Sequence, residues 1–251
     1  MTLRVWLHEG HDGEPGVIAL GFEHLGFATW GDTRASLLES LPEKFARYAE
    51  WRRAHGLPVA GEVSGIEIAG DGAGNEIVFP PDLEPATREE VELAIALLEA
   101  SRVDLMTDLE SAPEGALDWD PPYRRFAPWA DWRTVRAVLA HIANAETHYY
   151  TRNVGHVPQG APVSADADWR AFLPESRRES ITFLEVLARS SDLRRLQTAD
   201  YGYGAEQWSV RKALRRMVSH ELCHWKSVRR ILGEFRAFRD VGWRPGEARP
   251  R

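Results

Sequence analysis

Two rhythms of apolar and polar positions divide the chain. Up to about residue 79 the rhythm is short. Leu3–Leu7 alternates apolar and polar side chains, and Val17–Phe22 and Phe27–Trp30 are further strand-like runs. Gly13, Gly16, Gly21, Gly26 and Gly31 punctuate them. Asp32 or Thr33 is placed to cap a helix reaching Arg53, with Leu37, Leu38, Leu41, Phe45 and Tyr48 on one face. Pro42 predicts a kink there, or a start nearer Ser40, because an interior proline removes a hydrogen bond and crowds the preceding turn. Val63–Ile68 and Glu76–Phe79 are the next strand candidates, separated by the glycine-rich turn Gly70–Asn75. These runs predict a small sheet with one helix packed on it.

Beyond residue 86 the rhythm lengthens to that of helices. Pro80, Pro81 and Pro85 predict an extended linker over 80–86. Thr87 and Glu90 form a capping box, in which each side chain satisfies an amide of the other's residue. Behind it Val91, Ala94, Ile95, Leu98, Leu105, Met106 and Leu109 recur at helical spacing. Pro113–Ala130 reads as an irregular segment whose Trp119, Tyr123, Phe126 and Trp129 fold over core or line a pocket. Asp131 is a candidate cap for a second helix with the stripe Val135, Val138, Leu139, Ile142 and Tyr149. Trp169–Arg189 carries a third, with Pro174 marking a break or an early first turn. Tyr201–Gly204 reads as a turn, and Ser209 caps a fourth helix. The expected architecture is α+β: a small amino-terminal sheet domain (1–79), a proline-rich linker (80–86), an all-α four-helix bundle (87–240) and a flexible tail (241–251).

Composition narrows the class without naming a function. With 43% hydrophobic and 27% charged residues the 251-residue chain reads as globular rather than disordered. A net charge of −7 disfavours binding to a polyanion, so no nucleic-acid partner is expected. One cysteine, Cys223, excludes an internal disulfide framework. The amino terminus lacks the apolar core of a signal peptide, and no run approaches the length of a membrane span. These features predict a cytoplasmic protein without membrane contact.

The most specific chemistry lies in His220-Glu221-Leu222-Cys223-His224. On a helix, positions i and i+4 share a face about 5–6 Å apart at Cβ, so both imidazoles can reach one ion. On the helical wheel His220 and His224 flank the apolar sector of Leu214, Met217, Trp225, Val228 and Leu232. Arg211, Lys212, Arg215, Arg216, Lys226, Arg229 and Arg230 fall opposite, as a solvated basic face. His141 lies one step off the Val138/Ile142 stripe of the second helix. Two readings stand on spacing alone: packing histidines at a core margin, or an open three-imidazole site of the catalytic kind. Zinc, nickel and iron all accept such ligands. His148 is a candidate fourth ligand or proton shuttle, or a residue exposed near its helix end. Cys223 points about 100° from His224 and reads as a packing residue. Glu221 is a candidate for holding a ligand imidazole in its tautomer, for pairing with an arginine, or for acting as a base.

His-Glu-x-x-His also matches zinc metalloproteases, in which the Glu activates water. That chemistry needs a further ligand downstream. No histidine follows His224; Glu234 lies in the same helix, and Glu247 in a Pro/Gly-rich tail.

Residues 87–234 resemble the DinB/YfiT-like superfamily of four-helix bundles. The likeness is carried by Trp132–Ala143, by Trp208–Leu214 and by His220–His224. It implies a divalent metal, zinc or nickel foremost, held by His141, His220 and His224. It also implies a metal-dependent transferase or isomerase in which a low-molecular-weight thiol attacks a small electrophile. Gly26–Thr33 and the helix after it resemble HicB-like domains, which implies a ββαβ module able to dimerise or mask a partner. The alternative expectation is a non-enzymatic protein whose metal is structural and whose sheet module binds a partner.

Overall fold

The computed structural model describes residues 1–11, 15–59, 61–120, 130, 132–200 and 204–241. It is α+β, with a mixed sheet first and helices after it. Strand β1 (Thr2–Glu9) is central, β2 (Val17–Leu20) and β3 (Ala28–Gly31) lie on one side, and β4 (Gly65–Ala73) lies on the other. β1 and β2 run antiparallel from Trp6↔Leu20 to Glu9↔Val17, and β2 and β3 from Val17↔Gly31 to Leu20↔Ala28. β4 runs parallel to β1 and shifts register between Val5 and Trp6, where Ala69 is the extra residue.

β4 therefore runs through the glycines expected to form a turn, while Glu76–Phe79 forms no strand. The reason is steric. A Cβ on Gly70 would lie 2.4 Å from Trp6 Cζ3, and one on Gly72 would lie 2.9 Å from Ile77 Cδ1. These glycines leave room for side chains lying across the strand.

Helix α1 (Arg34–Ala54) starts where Thr33 Oγ1 accepts from Ser36 N at 3.1 Å, and it runs unbroken past Pro42. Leu37, Leu41, Phe45 and Tyr48 are buried on both sides of the proline, so packing outweighs local propensity. Helix α2 (Arg88–Glu110) begins with the expected capping box, Glu90 N donating to Thr87 Oγ1 at 3.1 Å and Thr87 N to Glu90 Oε2 at 2.8 Å.

Helix α3 (Val135–Asn144) is capped by Thr134, whose Oγ1 accepts from Ala137 N at 3.2 Å. Asp131, the expected cap, lies outside the described residues, as do Gly13, Tyr123, Phe126, Trp129, the Tyr201–Tyr203 part of the turn and most of the tail. α3 continues as a π-helical turn, Ala145–Tyr150. Helix α4 (Trp169–Ala188) carries Pro174 without a break, six residues past its cap Asp168. Strands β5 (Gln197–Asp200) and β6 (Ala205–Trp208) form a two-stranded sheet that the apolar rhythm did not predict. Helix α5 (Val210–Val241) is capped by Ser209, whose Oγ accepts from Lys212 N at 3.0 Å.

α2 and α3 each pack against both α4 and α5. The buried apolar side chains of sheet and helices join in one cluster. Gly26 (φ +89°) is a close point of contact with α5, since a Cβ there would lie 2.5 Å from Val218 Cγ1.

The linker is anchored by its buried Asp82 and Ala86 rather than being a free extended spacer, although Pro80, Leu83, Glu84 and Pro85 are exposed. Pro80–Leu83 forms a 3₁₀ turn in which Asp82 is fully buried. Its carboxylate accepts from Arg215 Nε and Nη2 at 2.9 and 2.8 Å, and its carbonyl oxygen accepts from Ser209 Oγ. A carboxylate in that position needs a cation, and α5 provides it. The expected solvated basic face is therefore only partly one: Lys212 and Arg215 are buried. Among the described residues no helix is long and apolar enough to cross a membrane.

Candidate metal centre

His141 is placed by α3, whose Val138, Leu139 and Ile142 are buried and hold its face against the other helices. His220 and His224 stand one turn apart on α5. The three rings converge: centroids lie 4.8 Å apart for His141–His220, 4.8 Å for His141–His224 and 4.3 Å for His220–His224. His141 Nε2 and His220 Nε2 are 2.9 Å apart, and the trio offers one ring nitrogen each, all within 4.8 Å of one another. Imidazole nitrogens about 2.0–2.1 Å from a tetrahedral ion lie roughly 3.3–3.4 Å apart, a spacing inside this range. The donor set and its dimensions therefore fit a divalent ion.

The electrostatics also fit. Burial pulls the His141 pKa down to about 4 and holds His220 and His224 well below the ordinary imidazole value. The charges that add to burial come from Arg216, from neighbouring imidazoles and, at His220, from His11; none of these is a carboxylate. Neutral rings are the form that ligates metal.

Aromatic rings wall the cluster. Trp132 stacks on His141 with centroids 3.8 Å apart and planes 16° apart, and meets His224 edge-on at 6.3 Å. Tyr150, on the π turn, lies 5.2 Å from His220. Trp119, at the other end of the aromatic segment, instead packs on Phe235 and Phe238.

The remaining candidates are placed elsewhere. Glu221 faces away from the imidazoles into a buried quartet with one member on each of α2, α4, the π turn and α5. Arg102 Nε donates to Glu221 Oε1 and Arg102 Nη2 to Glu146 Oε2, both at 2.8 Å. Arg177 Nε lies 2.9 Å from Glu146 Oε1, and its Nη2 lies 3.0 Å from Glu221 Oε2. Burial opposes ionisation of Glu221, but the two arginines outweigh it and hold its pKa below the usual value. Of the three roles open to Glu221, pairing with arginine is the one this geometry provides. His148 is engaged by Thr147 Oγ1 at 2.8 Å and by the Gly160 carbonyl at 3.4 Å, outside the three-ring group. Cys223 is exposed rather than packed, on the α5 face it shares with the exposed Lys226 and Arg230.

Sequence reasoning missed the surroundings of the cluster. Lys212, Arg216, His220 and His224 form an unbroken i, i+4 ladder on α5, a signal present in the sequence but hidden by assigning the first two to a solvent face. Glu76, Glu146 and Arg102 carry no local signal, since their partners lie far away in the chain.

No family match was found. Neither the models of known families nor the curated proteins compared with this chain match it.

Proposed function

We propose that the chain binds one divalent metal ion through His141, His220 and His224, in a helical bundle of the DinB/YfiT-like kind. The convergence of three neutral imidazoles from two helices carries this reading. Among the described residues it is the one group of potential ligands brought together at such distances. We further infer a transferase that uses a low-molecular-weight thiol on a small electrophile. A zinc or nickel ion would supply a Lewis acid that lowers the pKa of such a thiol.

The protein's own contributions follow from the geometry. The lowered imidazole pKa values keep all three rings available as ligands at neutral pH. Stacking against Trp132 fixes the plane of His141, and Trp132 and Tyr150 give the site apolar walls suited to a small organic molecule. The Arg102–Glu146–Arg177–Glu221 quartet ties the π turn after His141 to the residue beside His220, and so fixes the register of the two ligand-bearing helices.

Elemental analysis of protein purified without added metal tests the first part. About one ion per chain is expected, with loss in His141→Ala/His220→Ala; retention by that variant would defeat the assignment. A panel of thiols with an electrophilic dye tests the second. Full metal loading with no turnover on any thiol would favour a binding protein over a transferase.

A further inference from the structure

Helix α5 presents two opposed stripes. Arg215, Val218, Leu222 and Trp225 follow one another at steps of three and four residues. At about 100° per residue they lie about 160° around the helix from His220 and His224. This stripe meets the amino-terminal part of the chain. The Arg215 guanidinium carbon lies 5.1 Å from the centroid of the Phe22 ring, and the Trp225 ring lies 6.2 Å from that of Trp51 on α1. Between them Val218 and Leu222, both buried, back onto Gly26. A Cβ on Gly26 would stand 2.5 Å from Val218 Cγ1 and 3.4 Å from Leu222 Cδ1, so the backbone of loop 21–27 lies directly on the helix. The other stripe meets His141 of α3. The turns of α5 that carry the two imidazoles are thus held between α3 and the sheet module.

Loop 21–27 is tied to itself and to α1. Gly21 N donates to the Phe27 carbonyl at 3.0 Å, and Phe27 N to the His24 carbonyl at 2.8 Å. The Tyr48 hydroxyl donates to the Leu25 carbonyl, and the Phe27 ring meets Phe45 edge-on at 5.1 Å. Gly26 sits at φ +89°, a conformation glycine adopts without strain, and its missing side chain lets the loop come this close. A contact packed so tightly cannot shorten unless one side moves, and it lengthens only by opening a void. A shift of the loop therefore passes to the turn of α5 that carries His220.

We propose that Gly26 is a positioning residue for the metal centre: through Val218 and Leu222 the sheet module sets how far His220 and His224 stand from His141. The inference rests on the metal reading above and gives the amino-terminal module a part in that site. A ligand set drawn from two helices fits one ion only at one spacing of those helices, and the loop presses on one of them from behind.

The test is Co(II) binding to the full chain, followed by affinity and by the visible spectrum, which is intense in tetrahedral and weak in octahedral surroundings. Gly26→Ala inserts a methyl where Val218 stands. It is expected to weaken Co(II) by roughly tenfold, a loss of the size met when the supports of metal ligands are removed, and to dim the spectrum. Val218→Ala, which leaves the contact slack, should act in the same direction. In Gly26→Ala/Val218→Ala the added methyl takes up the vacated space, so affinity and spectrum should recover. The melting temperature of that double variant should nevertheless stay below that of the unsubstituted protein, because residue 26 keeps its positive φ and buried methyls are lost. A role in stability alone would not separate the two readouts. Val218→Ala with unchanged Co(II) affinity and spectrum would overturn this inference and leave the metal site standing, as would a double variant no better than its singles. Absence of Co(II) binding in the unsubstituted protein would overturn both.

Discussion

His141 shows how burial keeps an imidazole neutral. Its pKa of about 4 in the fold, against the usual 6.5, means that the unfolded chain takes up a proton between those values and the folded chain does not. The share of the metal-free protein's stability that depends on His141 is therefore fully present above about pH 6.5 and falls as pH drops toward 4, at up to about 1.4 kcal/mol per pH unit. His220 and His224 shift in the same direction and steepen the fall. Urea denaturation across this range should show that slope, and His141→Leu should remove about one proton from it. An unchanged slope would mean that His141 titrates normally in the fold. The three-imidazole group was legible because imidazoles are rare and helical spacing is rigid. The Trp132 stack on His141 was less so, since a ring nine residues upstream can point many ways until the loop is fixed.

Among the elements, α1 and the helices around the quartet give contrasting cases. Pro42 is exposed on a helix that runs straight through it, so it contributes a broken hydrogen bond without compensating burial. Pro42→Ala should raise stability by about 1–3 kcal/mol in urea melts. A loss instead would show that the proline packs usefully. The quartet predicts the opposite sensitivity. Its four side chains are at most 7% exposed, and neutralising one member strands the charges of the others. Glu221→Gln should cost about 3–5 kcal/mol, whereas replacing the whole quartet with apolar side chains of similar volume should cost far less. Helix spans and caps at Thr33, Thr87 and Ser209 were legible, because a capping hydroxyl acts within three residues of itself. The π turn at Ala145–Tyr150 was not. It is set by Glu146 reaching Arg102 and Arg177, and nothing local announces a partner on another helix.

For the whole molecule, sheet and helices share one core and several buried polar ties. Trp51 Nε1 donates to Asp104 Oδ2 at 2.7 Å, His55 Nε2 lies 2.9 Å from the same oxygen, and Glu76 and Asp82 are held by α5. The two parts should therefore unfold together. Calorimetry should give one transition whose van't Hoff and calorimetric enthalpies agree, and two resolved transitions would refute this. The change of rhythm near residue 80 falls between the end of the four-stranded sheet and the start of helices α2–α5, although α1 precedes it and the β5/β6 pair follows it. It does not reveal how closely they join, because the apolar pattern of a strand says which face is covered and not by what.

The clasp between Asp82 and Arg215 has a consequence for how the chain reaches this state. The last helix described holds the partners of carboxylates that emerge far earlier, with 133 positions between Asp82 and Arg215 and 140 between Glu76 and Arg216. On the ribosome, those acidic groups and the apolar faces beside them must wait for α5. Folding dominated by such distant pairs is slow and leaves adhesive surface exposed meanwhile. Nascent chains stalled before Val210 should thus remain open to protease across the sheet as well as the helices.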